Sequence, residues 1–360
     1  MTLSVCMIVR DEEAVIGRCL SGILPFADEV VVVDTGSRDA TPAIASSLGA
    51  RVYHAPWEDD FSRARNLAFS YAKTELLMWL DADDVVTSQS ADALLRAKDR
   101  LPDGVSAVYL PYHVAFDEEG RPTYIFDRER IVRRTASPRW VGRVHETLSF
   151  EGRAVRWDIP IEHRSQKTVY SRRNLEIYES QARAGEPFSP RDLFYWGREL
   201  YYHGEYRRAI PLLDGMVTAG LGWVENAVDA CRYLSLCYRA LGDREAAYGS
   251  LLRALTLTPP RPNLSCEMGD LLAEDGKTEA AIWWYRTALA CPDQTVGFID
   301  VDASGYIPAV QLAVLYDRSG DRENALRYHR LSGTFRPQGK AYLHNEAYFS
   351  QTTPPSHTIE

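Results

Sequence analysis

Apolar and polar positions along the first hundred residues switch repeatedly between two periods. Leu3–Val9 reads as a strand, Glu12–Leu24 has helical spacing, and Glu29–Val33 is a second apolar run that stops at Asp34. Ser37-Arg-Asp-Ala-Thr41 then supplies turn and capping residues before a helix with Ile44, Ala45 and Leu48 on its face. Arg51–His54 predicts a third strand, Phe61–Ala72 a helix, Leu76–Leu80 a fourth strand, and Ser90–Arg100 a further helix. Leu76–Leu80 is too short for a helix and fits a strand buried on both faces. Strand alternating with helix implies a mostly parallel sheet covered on both sides, with ligands beyond the carboxyl ends of its strands. That rule brings Asp34 and Asp81 to one rim.

Further along, the period becomes that of alternating strands. Ala107–Val114 and Thr123–Arg130 flank the turn-rich Asp117-Glu-Glu-Gly-Arg-Pro122, and Arg139–Glu146 and Val155–His163 follow as edge-type segments. The first domain is therefore expected to be α/β with a mixed sheet. Past Gln166 strand signals vanish and a repeat takes over. Gly204, Gly242, Gly276 and Gly320, at intervals of 38, 34 and 44, are each followed by an alanine five residues on and preceded by Leu200, Tyr238, Leu272 or Tyr316. Glycine ends the first helix of each pair, alanine permits close packing in the second, and Pro259, Pro292 and Pro337 close units. This pattern resembles the tetratricopeptide repeat. Asp293–Tyr306 reads as an insertion, and the polar stretch from Gln351 as a frayed tail. The expected division is 1–175, 176–337 and a tail at 338–360.

Composition narrows the function classes. A chain of 360 residues with 45% hydrophobic content can bury two cores, and its net charge of −9 argues against a phosphate-tracking nucleic-acid surface. Leu3–Val9 lacks the flanks of a signal peptide, and no apolar run approaches membrane-spanning length. The six cysteines form no C-x-x-C pair and have apolar neighbours, as reduced thiols of a cytoplasmic protein would.

Candidate chemistry clusters at the predicted rim. Asp81 and Asp83 lie two apart after a buried strand, so both point to one side, an arrangement suited to a divalent cation or to a solvated loop. Met7-Ile-Val-Arg-Asp-Glu-Glu13, Asp34-Thr-Gly-Ser-Arg-Asp-Ala-Thr41, Asp60-Phe-Ser-Arg-Ala-Arg-Asn66, Leu80-Asp-Ala-Asp-Asp84 and Trp140-Val-Gly-Arg-Val-His-Glu146 together resemble the family 2 glycosyltransferases of GT-A fold, over residues 1 to about 175. With the repeats, the chain looks most like the bacterial branch that includes peptide S-glycosyltransferases of the sublancin type.

The resemblance implies an inverting hexosyltransferase that takes a nucleotide-diphosphate sugar, a UDP-sugar, to a peptide or protein side chain. A surface-glycan or small-molecule acceptor, or a non-catalytic nucleotide-sugar-binding scaffold, are the alternatives. It further implies Mn²⁺ or Mg²⁺ on the D-x-D of Asp81 and Asp83, with His163 as a third ligand or else a buried, hydrogen-bonded histidine. Asp34 matches the residue that binds the nucleotide base, and otherwise caps the next turn. Arg65 matches the arginine that approaches the nucleotide. Arg10 and Glu12 line the donor site, Lys167 and Arg173 clamp the diphosphate or face water, and Asp39 caps a helix. Glu146 matches the base that takes the acceptor proton, with His145 the second candidate. The repeats either hold an acceptor or partner, with a homodimer implied by the resemblance, or prop the catalytic domain.

Overall fold

The computed structural model describes residues 1–167, 169–292 and 294–352. Its elements run β1 (Leu3–Val9), α1 (Ile16–Ile23), β2 (Glu29–Asp34), α2 (Thr41–Ser47), β3 (Arg51–His54), α3 (Phe61–Tyr71), β4 (Leu76–Trp79), β5 (Asp84–Val85) and α4 (Ser88–Lys98). Then come β6 (Val105–Phe116), β7 (Pro122–Arg133), β8 (Arg139–Val141), β9 (Thr147–Ser149), β10 (Arg153–Arg156), β11 (Ile161–His163), α5 (Arg173–Arg183) and α6 (Pro190–Tyr202). The remainder is helical, α7 (Tyr206–Ala219), α8 (Val224–Ala240), α9 (Arg244–Ala254), α10 (Pro262–Glu274) and α11 (Thr278–Ala290), then β12 (Ile299–Asp300), α12 (Tyr306–Arg318), α13 (Arg322–Phe335) and α14 (Lys340–Thr352).

The sheet is mixed, in the order β3-β2-β1-β4-β7-β6-β11-β5. The pairs β3–β2, β2–β1 and β1–β4 are parallel, whereas β7 runs antiparallel to β4. Strand alternation divides the apolar residues between two cores. Leu3, Val5 and Met7 of β1, Val32 of β2, and Leu76 and Met78 of β4 pack on one side with Ile16, Leu20 and Ile23 of α1 and Leu94 of α4. Cys6, Val31, Val33, Leu77 and Trp79 pack on the other, with Ala68 and Phe69 of α3, Trp140 and Leu148. The carboxyl ends of β1, β2 and β4 therefore share a rim, as the pattern predicts.

Three features depart from the sequence reading. The helix predicted from Glu12 begins at Ile16, because residues 12–15 form turns in which Glu12 O accepts from Val15 N and Ile16 N. The single segment expected over Val155–His163 is two strands, and the two-residue β5 was not foreseen. Contacts divide the chain into one compact unit of Met1–Val114 with Phe126–His203, and a second of Ala115–Ile125 with Gly204–Glu360. Residues of α5 and α6 bury Leu175, Ile177, Tyr178, Phe194 and Tyr195, and Tyr178 Oη donates to Val144 O at 3.4 Å, so both helices belong with the sheet. Helical period alone does not register such a docking, because it runs unbroken from α5 into the repeats.

In the second unit the repeat logic holds in detail. Gly204, Gly242, Gly276 and Gly320 have φ of +74°, +80°, +71° and +81°, the left-handed turn that glycine enters without steric cost. Ala209, Ala247, Ala281 and Ala325 are each 0% exposed. The 115–125 hairpin pairs with β12 within this unit, Ile125 opposite Ile299 and Tyr124 opposite Asp300. The expected tail at 338–360 is instead a helix as far as Thr352, because Phe349 is buried against the His329 ring at 4.9 Å. Most of the polar stretch predicted to fray, from residue 353 on, lies outside the described residues. Among the described residues no helix is long and apolar enough to cross a membrane.

Candidate active site

A cleft of about 670 Å³ opens at the carboxyl rim of the first unit. Its walls include Arg10, Glu12, Arg65, Asp81, Asp83, His145, Glu146, His163, Lys167 and Arg173, ten of the eleven residues singled out from the sequence. The eleventh, Asp34, stands behind the wall. Its carboxylate accepts from Gly36 N at 3.4 Å and Ser37 N at 3.1 Å, and His54 Nδ1 lies 3.1 Å away, so the carboxylate shapes the turn and Thr35 takes the lining position. These bonds are those of the turn-capping alternative for Asp34. Asp39, expected as a helix cap, stands one residue outside the N-cap of α2, which is Ala40, and its carboxylate accepts from Thr41 N at 3.0 Å in the turn before the helix.

Arg65 organises the centre of the cleft. Its side chain is buried between Trp79 and Trp140, with the guanidinium carbon 4.6 and 5.1 Å from their ring centres. Nε donates to Glu146 Oε1 at 2.5 Å and Nη2 to Asp81 Oδ1 at 2.7 Å, so one fork joins the end of β4 to the loop that carries Glu146. Its Nη1 is buried with no hydrogen-bond partner among the described residues. Burial alone would raise the Asp81 carboxyl, but Arg65 and Arg130 outweigh it and hold the group well below the usual carboxylate range.

The D-x-D splits between two jobs. Asp81 is engaged by Arg65, and the residues whose ligand atoms gather within 4.8 Å of one another are Asp83, Asp84 and His163. Backbone pairing explains the third member: β5 runs antiparallel to β11, with Asp84 opposite His163. Asp84 is wholly buried and already accepts from Asp81 N at 3.0 Å, Arg130 Nη1 at 3.0 Å and Tyr112 Oη at 2.7 Å. Of the expected ligand set of Asp81, Asp83 and His163, the last two fall in this cluster and Asp81 is bonded to Arg65. Asp83 and His163 fit a divalent cation, with Asp84 as a buried brace behind them. Burial first, and then the negative Asp81 and Asp84, push the Asp83 carboxyl up. The same three carboxylates outweigh burial at His163 and raise its imidazole. This cluster is short of positive charge, which a cation would supply.

Toward the mouth, Lys167 pairs with Glu12, and Arg173 stacks on Phe61 with 4.7 Å from its guanidinium carbon to the ring centre. Arg10 is half-exposed beside Asp11. These three cations face the same opening as Asp83 and His163. On the opposite flank His145 and Glu146 leave the sheet through a bend in which His145 itself has a φ of +49°.

Several members of the site escaped the sequence. Arg128 and Arg130 lie two apart on β7, with guanidinium carbons 4.8 and 3.8 Å from the ring centre of Trp79. Arginines alternating within a strand were a usable signal, since such positions are buried only when paired. Tyr112, Tyr170, Asn174 and Glu199 carried no comparable mark.

Residues 4–169 match the family model described as glycosyl transferase family 2, and residues 309–341 that of a tetratricopeptide repeat. The chain is 26% identical over 225 residues to the SPbeta prophage-derived glycosyltransferase SunS of Bacillus subtilis, covering 59% of this chain and 52% of that protein. It is 51% identical over 82 residues to a TPR repeat-containing protein of Synechococcus elongatus, covering 23% of this chain and 20% of that one. The chain thus spans about half or less of these curated relatives. Among solved structures, glucosyl-3-phosphoglycerate synthase from Mycobacterium tuberculosis, in complex with Mn²⁺, uridine diphosphate and phosphoglyceric acid, is 19% identical with a TM-score of 0.36, covering 52% of this chain and 80% of that one. The chain carries a glycosyl transferase family 2 domain followed by helices that include a tetratricopeptide repeat.

Proposed function

We propose that the first unit transfers a sugar, with inversion, from a UDP-sugar to a side chain of a peptide or protein. The observation that carries this reading is the Arg65 fork, which sets Glu146 and Asp81 on one guanidinium in a cleft that also holds Arg10, Lys167, Arg173 and a candidate metal pair. Lys167, Arg173 and Arg10 offer charge to a diphosphate. Asp83 and His163 would hold a divalent cation, which when bound neutralises the charge that grows on the departing diphosphate.

In the transfer, the acceptor heteroatom bonds to the anomeric carbon from the face opposite the diphosphate. The bond from that carbon to the diphosphate oxygen breaks, and the nucleoside diphosphate leaves with the electron pair. Glu146 takes the acceptor proton. Arg65 bonds only its Oε1, holding the carboxylate in place through the approach of the acceptor. The peptide acceptor rests on the motif set and the repeats.

Two substitutions test the reading by calorimetry and turnover with a panel of UDP-sugars and Mn²⁺. Asp83→Ala loses metal-dependent donor binding while remaining folded; unchanged binding removes the metal role. Glu146→Gln keeps donor affinity and loses transfer by roughly 10² or more, the lower end of what a positioned base supplies. Near-normal transfer moves the base to His145.

A further inference from the structure

Outside the residues that would meet donor or acceptor, Glu199 on α6 is a buried carboxylate with several hydrogen-bond partners. Its side chain is 0% exposed. Tyr170 Oη donates to its two oxygens at 2.8 Å each, Asn174 Nδ2 to Oε1 at 3.1 Å, and His145 Nε2 lies 2.7 Å from Oε1. All three partners line the cleft, but Glu199 does not. A second observation is independent of these bonds. His145 adopts a left-handed φ of +49°, a conformation uncommon for a residue with a Cβ and one its surroundings must hold. Its ring is stacked on Tyr195 of the same helix, with centroids 4.2 Å apart, and its carbonyl accepts from Arg191 Nε at 2.9 Å. Arg191, Tyr195 and Glu199, spaced four apart along α6, therefore grip the residue next to Glu146 at carbonyl, ring and ring nitrogen.

We propose that Glu199 is a positioning residue for the reaction, fixing His145 as the neutral tautomer with its proton on Nε2 and so holding the strained loop that places Glu146. The assignment rests on the reading of Glu146 as the base. An ionised carboxylate only accepts hydrogen bonds, so the nitrogen facing it must carry the proton, which leaves Nδ1 as the unprotonated nitrogen of the ring. The electrostatics agree. Burial would raise the Glu199 carboxyl, but the bonds from His145, Asn174 and Tyr170 outweigh it and keep the carboxyl low. Burial dominates at His145 and lowers its imidazole below the ordinary value, although Glu199 pulls the other way. The pair is thus a carboxylate beside a neutral imidazole. Sequence spacing separates the two residues by 54 positions and a helical stretch that reads as the start of the repeats.

The experiment has two readouts, the first of which needs no activity. With ¹⁵N-histidine labelling of the full chain and a His145→Ala spectrum to assign the signal, His145 at pH 7 should show a protonated Nε2 and an imine-type Nδ1 in slow tautomeric exchange. A proton on Nδ1, or the averaged shifts of a free imidazole, overturns the proposal. The second readout is Mn²⁺-dependent hydrolysis of the fastest UDP-sugar in Glu199→Gln. A loop displaced by about 1 Å should lower kcat roughly 10²-fold with donor KM within about two-fold of wild type. A kcat unchanged within two-fold, or a loss confined to KM, overturns it. If Glu199→Gln does not fold, the wild-type spectrum decides. If the wild type turns over no donor, the proposed function fails, while the spectrum still settles whether Glu199 fixes the ring.

Discussion

Replacing Arg130 by methionine tests the framework on which the metal pair stands. Arg130 and Asp84 are both 0% exposed, with Nη1 3.0 Å from Oδ2, and the guanidinium also lies 3.8 and 4.3 Å from the ring centres of Trp79 and Tyr112. Removing one partner strands a buried carboxylate, and losses of this kind run to about 3–5 kcal/mol. Two further nitrogens of Arg130, Nε and Nη2, are buried without hydrogen-bond partners, so the lower half of that range is expected. A loss of about 3 kcal/mol raises the unfolded fraction of the first unit by roughly two orders of magnitude. Equilibrium urea unfolding followed by tryptophan fluorescence reads this directly, because Trp79 and Trp140 are buried in that unit. The same substitution in an Asp84→Asn background should cost at least about 1 kcal/mol less, since a neutral amide needs no counter-charge. An Arg130→Met protein within about 1 kcal/mol of wild type, or identical costs in both backgrounds, refutes the reasoning. Asp84 would then be no brace for Asp83 and His163.

Other outcomes follow from single contacts. Because the Asp81 carboxyl is depressed in the fold, its contribution to stability is complete above its ordinary value near 4 and is lost as pH falls below that toward the depressed value. The stability gap between wild type and Asp81→Asn should accordingly be widest above about pH 5 and narrow toward pH 2; a gap that widens on acidification contradicts the Arg65 pairing. In the second unit, a Cβ on Gly269 would meet ring carbons of Tyr285 at 2.8 to 3.0 Å. Gly269→Ala should destabilise despite alanine's helix preference of about 1 kcal/mol, since overpacking costs about 1–3 kcal/mol, and a raised Tm would refute that contact. Five of the six cysteines are buried and Cys291 is partly exposed. A thiol reagent should therefore titrate at most one group in the native protein and six after denaturation; rapid native reaction at two or more would mean a looser core.

The alternation of β1 to β4, the rim at the carboxyl ends of β2 and β4 near Asp34 and Asp81, and the glycine and alanine of each repeat were all legible in the chain. Local rules decide them: strand period, the end of an apolar run, and the left-handed turn that glycine takes freely. Which carboxylate does which work was not local. Asp81 and Asp83 are equivalent by spacing, and only Arg65, sixteen residues upstream and folded beneath Trp79, takes the first and leaves the second to His163. Asp34 carries a family motif, and its oxygens accept from Gly36 and Ser37 of the following turn, a local contact that the motif does not spell out. Glu199 lay hidden inside a helical pattern. A helix shows its apolar face in the sequence, but the one carboxylate on it that meets a histidine 54 residues earlier is chosen by the docking of that face. Sequence determined the elements and the rim; tertiary structure distributed the charges among them, since pairing in a buried site depends on distance in space.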